Sequence, residues 1–295
     1  MALTTIEKVA KRIEEYIVQE PLMGEKSKKL AGSALSDVVG SAKESKVPVL
    51  SVGGARNYSG TYAASDTSVS YETLTNAAVR QVVYQVPRID SKWAGLTMLT
   101  KVAMKQGKKE MVKEVDAVRF ANLATGALAS HKVTTVLTAD NVEAQLKLAQ
   151  TTLFEKGYDK EEITFYLNSA TADLIDGAIV WDTMNKDGDV KHIVKRYNES
   201  EIIVVPQERF YTQITLLDTT AGGYEKTATT GKDIRFIAVA IGDEIICTKG
   251  VDYSNIIPAE KNQAGYNDQF NMLFGYDLHV LGTEGQNRIY VNSEA

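Results

Sequence analysis

Ile202-Ile203-Val204-Val205-Pro206 runs into Glu208-Arg209-Phe210-Tyr211-Thr212, and the order of the segments downstream of it decides the reading of the chain. A β-branched run closed by proline reads as a strand whose ladder stops at the residue that lacks an N–H. A second hydrophobic strand comes next, Ile234-Arg235-Phe236-Ile237-Ala238-Val239-Ala240, and then Glu244-Ile245-Ile246-Cys247. After these come Ile257-Pro258-Ala259-Glu260, a polar link, and an apolar terminal segment from Phe270 to Leu281.

Upstream of this region the chain changes character several times. Residues 1–20 read as an amphipathic helix: Thr4 and Glu7 fit a capping box, and Ile6, Val9, Ala10, Ile13 and Ile17 recur at helical spacing until Pro21 stops them. Residues 22–46 are small, polar and lysine-containing, which predicts an extended or partly ordered tether. From Val47 to Ser51, and back through Val69, Tyr71, Thr73, Leu74 and Val79 to Val86, β-branched and aromatic residues flank a Gly/Ser/Thr/Ala-rich tip. This pattern predicts a long two-stranded excursion, and an isolated hairpin is marginal in water unless something supports it.

Residues 91–124 predict a helix about 50 Å long at 1.5 Å per residue, with Gly107 as its weak point. Lys92, Lys101, Lys105, Lys108, Lys109 and Lys113 form its basic face. A third helix is expected over 138–157, capped by Asp140 with Glu143 and ended by Gly157. A strand is expected at Ile163–Leu167, then a short helix capped by Ser169, a polar loop over 182–200, and strands to the end. Helices and strands mix without regular βαβ alternation, so the class is α+β.

A length of 295 residues with 44% hydrophobic content is ample for a large core. A net charge of −5 argues against a dedicated nucleic-acid binder. No run approaches the roughly 18 apolar residues of a membrane helix, and Met1–Glu20 lacks the apolar stretch of a signal peptide. The single cysteine, Cys247, reads as a small buried hydrophobe rather than part of a disulfide.

The motifs that usually carry chemistry fail on inspection. Gly231-Lys232 looks like a phosphate loop, but Lys226 stands where the first glycine belongs and Asp233 where Ser or Thr belongs. Asn185, Asp187 and Asp189 look like a calcium loop, yet Val190 and Arg196 occupy its glycine and glutamate positions. His131, His192 and His279 are too widely separated for a zinc pair in sequence. The acid pair Glu161-Glu162 reads as a helix start. The sequence nominates no catalytic, cofactor-binding or metal-binding residue, and no cofactor is expected.

The succession of arm, long excursion, long helix, mixed lobe and terminal strands resembles the major capsid proteins of tailed bacteriophages, the Johnson fold of the Hong Kong ninety-seven type. Glu114-Val115-Asp116-Ala117-Val118-Arg119-Phe120 resembles the end of that family's spine helix. Tyr71-Glu72-Thr73-Leu74 is similar to the returning strand of its extended loop, and Val205-Pro206 with Arg209-Phe210 resembles the proline turn of its axial lobe.

The resemblance implies an N-terminal arm at 1–46 and an extended loop at 47–90. It implies a peripheral lobe with the spine helix at 91–129, an axial lobe at 130–231, and a return to the peripheral lobe in the C-terminal strands of 232–295. It implies a non-enzymatic subunit that self-assembles, as hexamers and pentamers, into an icosahedral shell around double-stranded DNA. The shell would be built in the host bacterial cytoplasm and end in the virion. Implied partners are the chain itself, a portal, a decoration protein and the packaged DNA, with no membrane. The founding member carries a long N-terminal scaffolding segment; with 1–46 as the arm this sequence leaves no place for one, which implies a separate scaffolding protein. Two alternatives stand beside this reading: an encapsulin-type compartment shell of the same fold, and an enzyme with a site assembled in the axial lobe.

Overall fold

The computed structural model describes residues 22, 24–32, 39–40, 43–52, 67–87, 95–175, 180–186, 190–218, 222–263 and 265–295. The helix expected over 1–20 and most of the tip of the excursion lie outside the described residues. The segment expected to be a loose tether is instead anchored: Leu22 and Leu30 are fully buried in two different core clusters, and a 3-10 turn spans Lys28–Gly32.

Strands β1 (Val39–Gly40), β2 (Glu44–Val52) and β3 (Thr67–Thr75) form an antiparallel ribbon in that order, with Val52 opposite Thr67 and Glu44 opposite Thr75. The excursion is therefore shorter than 47–90. Its return run breaks at the buried Asn76, and β4 (Ala78–Pro87) leaves the ribbon for another sheet. Both halves of that run have strand chemistry, so the sequence pattern alone joins them. The break is made by Asn76, whose N–H donates to the Lys43 carbonyl at 2.8 Å across the hairpin base.

Helices α1 (Gly95–Gln106) and α2 (Val112–Gly126) are joined by one π-helical turn, Gly107–Met111, at the glycine expected to be weak. On α2, ten residues are buried, and they include Glu114, Asp116 and Arg119. A helix covered on every side has elements to bind on every side.

The remaining elements are β5 (Lys132–Val133), α3 (Val142–Phe154), β6 (Ile163–Asn168), α4 (Ser169–Leu174), β7 (Val180–Lys186), β8 (Val190–Tyr197), β9 (Ser200–Val205), β10 (Ile214–Leu216) and β11 (Tyr224–Lys226). They continue with β12 (Ile234–Ala240), β13 (Ile245–Ile257), β14 (Asn267–Val280), α5 (Gly282–Asn287) and β15 (Ile289–Ser293). Two sheets carry the body. One has the order β13-β14-β4, and the other has the order β5-β15-β12-β6-β9-β8-β7.

Helix α2 lies between the two sheets. Val115 and Val118 face Tyr84, Phe270, Met272 and Tyr276 of the first, while Phe120, Leu123 and Ala124 face Tyr166, Ile237 and Val239 of the second. Phe120 meets Tyr166 and Phe210 edge to face, each at 5.1 Å between ring centres, the geometry that aligns a ring's positive edge with its neighbour's negative face. A third cluster packs α3 under the other face of the large sheet, through Val142, Leu146 and Leu153 against Phe165, Phe236 and Tyr290.

Several sequence expectations need correction. The polar loop expected over 182–200 is the β7–β8 hairpin and the turn into β9. It reads as polar because β7 is the sheet's outer edge, where charge is tolerated and discourages stray pairing. Asn198 and Glu199 turn the chain with φ of 46° and 76°, as a tight antiparallel connection requires. Asn168, rather than Ser169, caps the short helix by accepting from the Thr171 N–H at 2.8 Å. Asn141, rather than Asp140, sits at the N-cap of α3. Glu161 and Glu162 lie in a turn entering β6, not at a helix start. The boundary expected at 231/232 passes through one sheet, since β12 and β15 pair with each other and β12 pairs with β6.

Candidate assembly surfaces

Polar residues of α2 tie separate parts of the chain together, one after another along the helix. Asp116 is fully buried and receives five hydrogen bonds: from the N–H groups of Glu25 (3.1 Å), Lys26 (3.1 Å) and Ser27 (3.0 Å), from Ser27 Oγ (2.6 Å) and from the Arg209 guanidinium (3.1 Å). Three backbone N–H groups, a hydroxyl and a guanidinium thus satisfy a polar group that burial would otherwise leave without partners. Arg119, also buried, donates to the Leu22 carbonyl at 2.6 Å and to Ser27 Oγ at 3.2 Å.

Arg209, from the proline turn, reaches on to Glu25 at 2.7 Å. Burial alone would pull the Arg209 pKa down, but its bonds to Glu25 and Asp116 outweigh that and hold it above its ordinary value. The same bond lowers the pKa of Glu25. Gly24 makes the approach possible: its φ is +73°, and a Cβ there would stand 2.5 Å from Asp116 Oδ1. Beyond this knot Lys29 bonds Glu201 at 2.6 Å and Thr164 at 2.8 Å on the large sheet.

Two turns of helix apart, Glu114 and Asn122 serve other elements. Glu114 takes a two-pronged ion pair from Arg80 of β4 (2.8 and 3.0 Å) and the Tyr276 hydroxyl of β14. Burial, followed by the Glu114 charge, pushes the Tyr276 phenol well above its usual pKa. Arg80 also donates to the carbonyls of Leu217 (3.0 Å) and Gly223 (3.1 Å), which fixes the loop around β10 and β11. Asn122 donates to Asp277, which in turn accepts the Ala77 N–H at 2.6 Å.

Two surfaces contrast with this interior. On the ribbon, Val47 and Leu74 turn inward onto Ile246. The other face carries Pro48 opposite Tyr71, with Tyr71 73% and Val69 62% exposed. On the small sheet, the face away from the helices carries Gln81, Val83 and Gln85 beside Gln269, Asn271 and Leu273, then Tyr253 and Asn255. Its carboxamides bond one another: Gln85 to Gln269 at 3.2 Å, and Gln269 to Asn271 at 2.7 Å. None of these eight side chains is charged, in a chain with 24% charged residues. Depletion of charge marks the core of protein–protein contacts. Lys101, Lys105 and Lys109 stand exposed on α1 and the π-turn, while Lys113 pairs with Glu208 at 3.1 Å.

The residues that imitate chemical motifs have structural roles. Gly231 lies where a Cβ would come within 2.6 Å of the Thr227 carbonyl oxygen, so it closes a tight turn. Asn185 is in β7, and 187–189 lie outside the described residues. His131, His192 and His279 fall on three different elements, and His131 Nδ1 is 3.1 Å from the Ile289 carbonyl. Burial pushes the Cys247 thiol pKa up, which suits a packed side chain rather than a nucleophile. Among the described residues no three His, Cys, Asp or Glu side chains group as metal ligands, and no helix is long and apolar enough to cross a membrane.

No protein-family model and no curated protein matches the chain by sequence. Among solved structures it is similar to the capsid of an empty GTA particle, with a TM-score of 0.52 and 15% identity over 92% of this chain and 90% of that one. It is similar to the mature capsid of bacteriophage PhiM1, with a TM-score of 0.52 and 10% identity over 86% and 82%. It is also similar to the virus-like particle from Pyrococcus furiosus, with a TM-score of 0.51 and 12% identity over 98% and 100%. The chain has the capsid fold that the sequence resemblance implied.

Proposed function

We propose that the chain is a major capsid protein, which self-assembles into the icosahedral shell of a tailed bacteriophage around double-stranded DNA. The observation that carries this reading, beyond the fold, is the ribbon β2–β3. Its root is seated on the body while Val69 and Tyr71 face outward and stay largely exposed among the described residues. Such a ribbon gains support when it lies on a neighbour, and the uncharged face of the small sheet is the surface best suited to receive it.

In this reading residues 1–21 of the arm tie subunits together and residues 24–32 hold the arm to its own body, while the large sheet with α3 surrounds the capsomer axis. The small sheet with α1 and α2 forms the periphery. Lys101, Lys105 and Lys109 would offer phosphate contacts to packaged DNA. A separate scaffolding protein, a portal and a decoration protein complete the set of partners, with assembly in the host cytoplasm.

The shell is held without covalent links. No lysine lies between Val47 and Ser91; the ribbon's lysine, Lys46, sits near its root in β2, so no amine is carried out along the ribbon to form an isopeptide bond with a neighbour. Light scattering across salt and concentration should give species far above the 32.3 kDa chain, and boiling in detergent should return one band at that mass. A monomer under every condition would overturn the shell reading, and a covalent ladder would overturn the non-covalent one. Nucleic acid extracted from purified shells separates a phage capsid from a cellular compartment.

A further inference from the structure

Helix α1 has two sides of opposite character. Leu99 and Ala103 are fully buried in the cluster that joins α1 to β4 and β14, which fixes how the helix is rotated. The other side carries Met98, Lys101, Val102 and Lys105, and Lys109 follows on the π-turn. Spacings of three and four residues put these side chains on one stripe. All five are exposed, with Met98 at 45% and Val102 at 40%.

The charge on this stripe has one sign. Between Ser91 and Lys109 there are lysines at 92, 101, 105, 108 and 109 and no acidic residue, in a chain whose net charge is −5. Among the described residues Lys101, Lys105 and Lys109 have no ion-pair partner, whereas Lys113, one turn on, has Glu208. A phosphate backbone makes use of the lysines alone and offers nothing to Met98 and Val102. An amphipathic helix laid on α1 would cover that apolar pair and bring its flanking acids to the lysines, with anchors at the same i, i+3, i+4 spacing.

We propose that this stripe of α1 is a docking site for an acidic amphipathic helix of another protein. Aliphatic side chains would lie against Met98 and Val102, and carboxylates would meet Lys101, Lys105 and Lys109. The chain's own residues 1–20 do not supply the charge complement: Glu7, Glu14, Glu15 and Glu20 are nearly balanced by Lys8, Lys11 and Arg12. Only the name of the occupant, a separate scaffolding protein, rests on the shell reading. In a shell the lysines would turn to packaged DNA once that helix leaves.

The probe is a labelled synthetic helix of leucine, glutamate and alanine whose leucines lie at i, i+4 on one face. Its control has the same composition with the leucines spread around the helix. By fluorescence anisotropy the full-length chain should bind the patterned helix about tenfold more tightly than the control. Met98→Ser with Val102→Ser should bring the two to equal affinity and leave binding of duplex DNA unchanged. Lys101→Glu with Lys105→Glu should lose the patterned helix and gain its counterpart with lysine in place of glutamate. These are surface positions, so the variants should fold, which circular dichroism checks. Should one misfold, a photo-crosslinker on the patterned helix decides in the wild type: attachment within 95–109 supports the site, and attachment elsewhere overturns it.

Equal affinity of the wild type for both helices would mean a surface that reads charge alone, suited to nucleic acid, and overturns the proposal. A preference that survives Met98→Ser with Val102→Ser places the binding elsewhere and overturns it too. So does the absence of binding by the full chain, the result expected if residues 1–20 cover the stripe. No arm reads shell formation. A chain that never assembles yet binds the patterned helix keeps the docking site and loses only the scaffolding partner.

Discussion

Residues 24–32 and the ribbon β2–β3 both extend from the body, and they are built in opposite ways. The first is held by its own subunit, through the buried Asp116, Arg119 and Arg209 and through Leu30. The second, among the described residues, packs on the body at its root and offers Val69 and Tyr71 to the outside. A segment that closes all its polar bonds at home serves stability, whereas a segment that leaves apolar side chains open serves a partner. The contrast assigns one to folding and the other to assembly.

The largest effect should come from breaking the home contacts. Asp116→Asn removes the charge that three N–H groups and Arg209 share, and leaves Arg209 only the half-exposed Glu25 and Glu208 as ion-pair partners here. The loss should be about 3–5 kcal/mol in denaturant unfolding, with secondary structure near normal at low denaturant. A change below about 1 kcal/mol would mean that the knot is peripheral.

Gly24→Ala should come next. Its Cβ would stand 2.2 Å from Ser27 Oγ in a left-handed backbone, for a cost of about 1–3 kcal/mol. Exchange should rise in residues 24–32 and leave β2–β3 unchanged. Equal loosening of both would show that the two segments are not independent.

These residues also mark how far the sequence could be read. Asp116, Arg119, Arg209 and Phe210 all lie in the stretches that resemble the capsid family, so the fold and its main helix were legible. What they bind was not. The partners of Asp116 come from Glu25–Ser27 and Arg209, 89 to 93 residues away, and a polar run such as 24–32 looks the same whether it floats or caps a carboxylate. The division of 47–90 at Asn76 was hidden because both halves alternate like strands, and the choice of partner is made by tertiary packing of Tyr84 on Phe270. The β7–β8 hairpin was hidden by edge-strand polarity. The uncharged face emerged only when β4 was set beside the β13–β14 pair, far from it in sequence.

The smallest effect on stability, and the most direct test of the central claim, belongs to the ribbon. Val69→Ser with Tyr71→Ser should change unfolding by no more than about 0.5 kcal/mol, as surface changes do. Electron microscopy of the wild type and this double variant, purified side by side, then decides. The account predicts closed shells from the wild type and unassembled or aberrant material from an equally folded variant. Shells from the variant indistinguishable from the wild type, in number and shape, would contradict it.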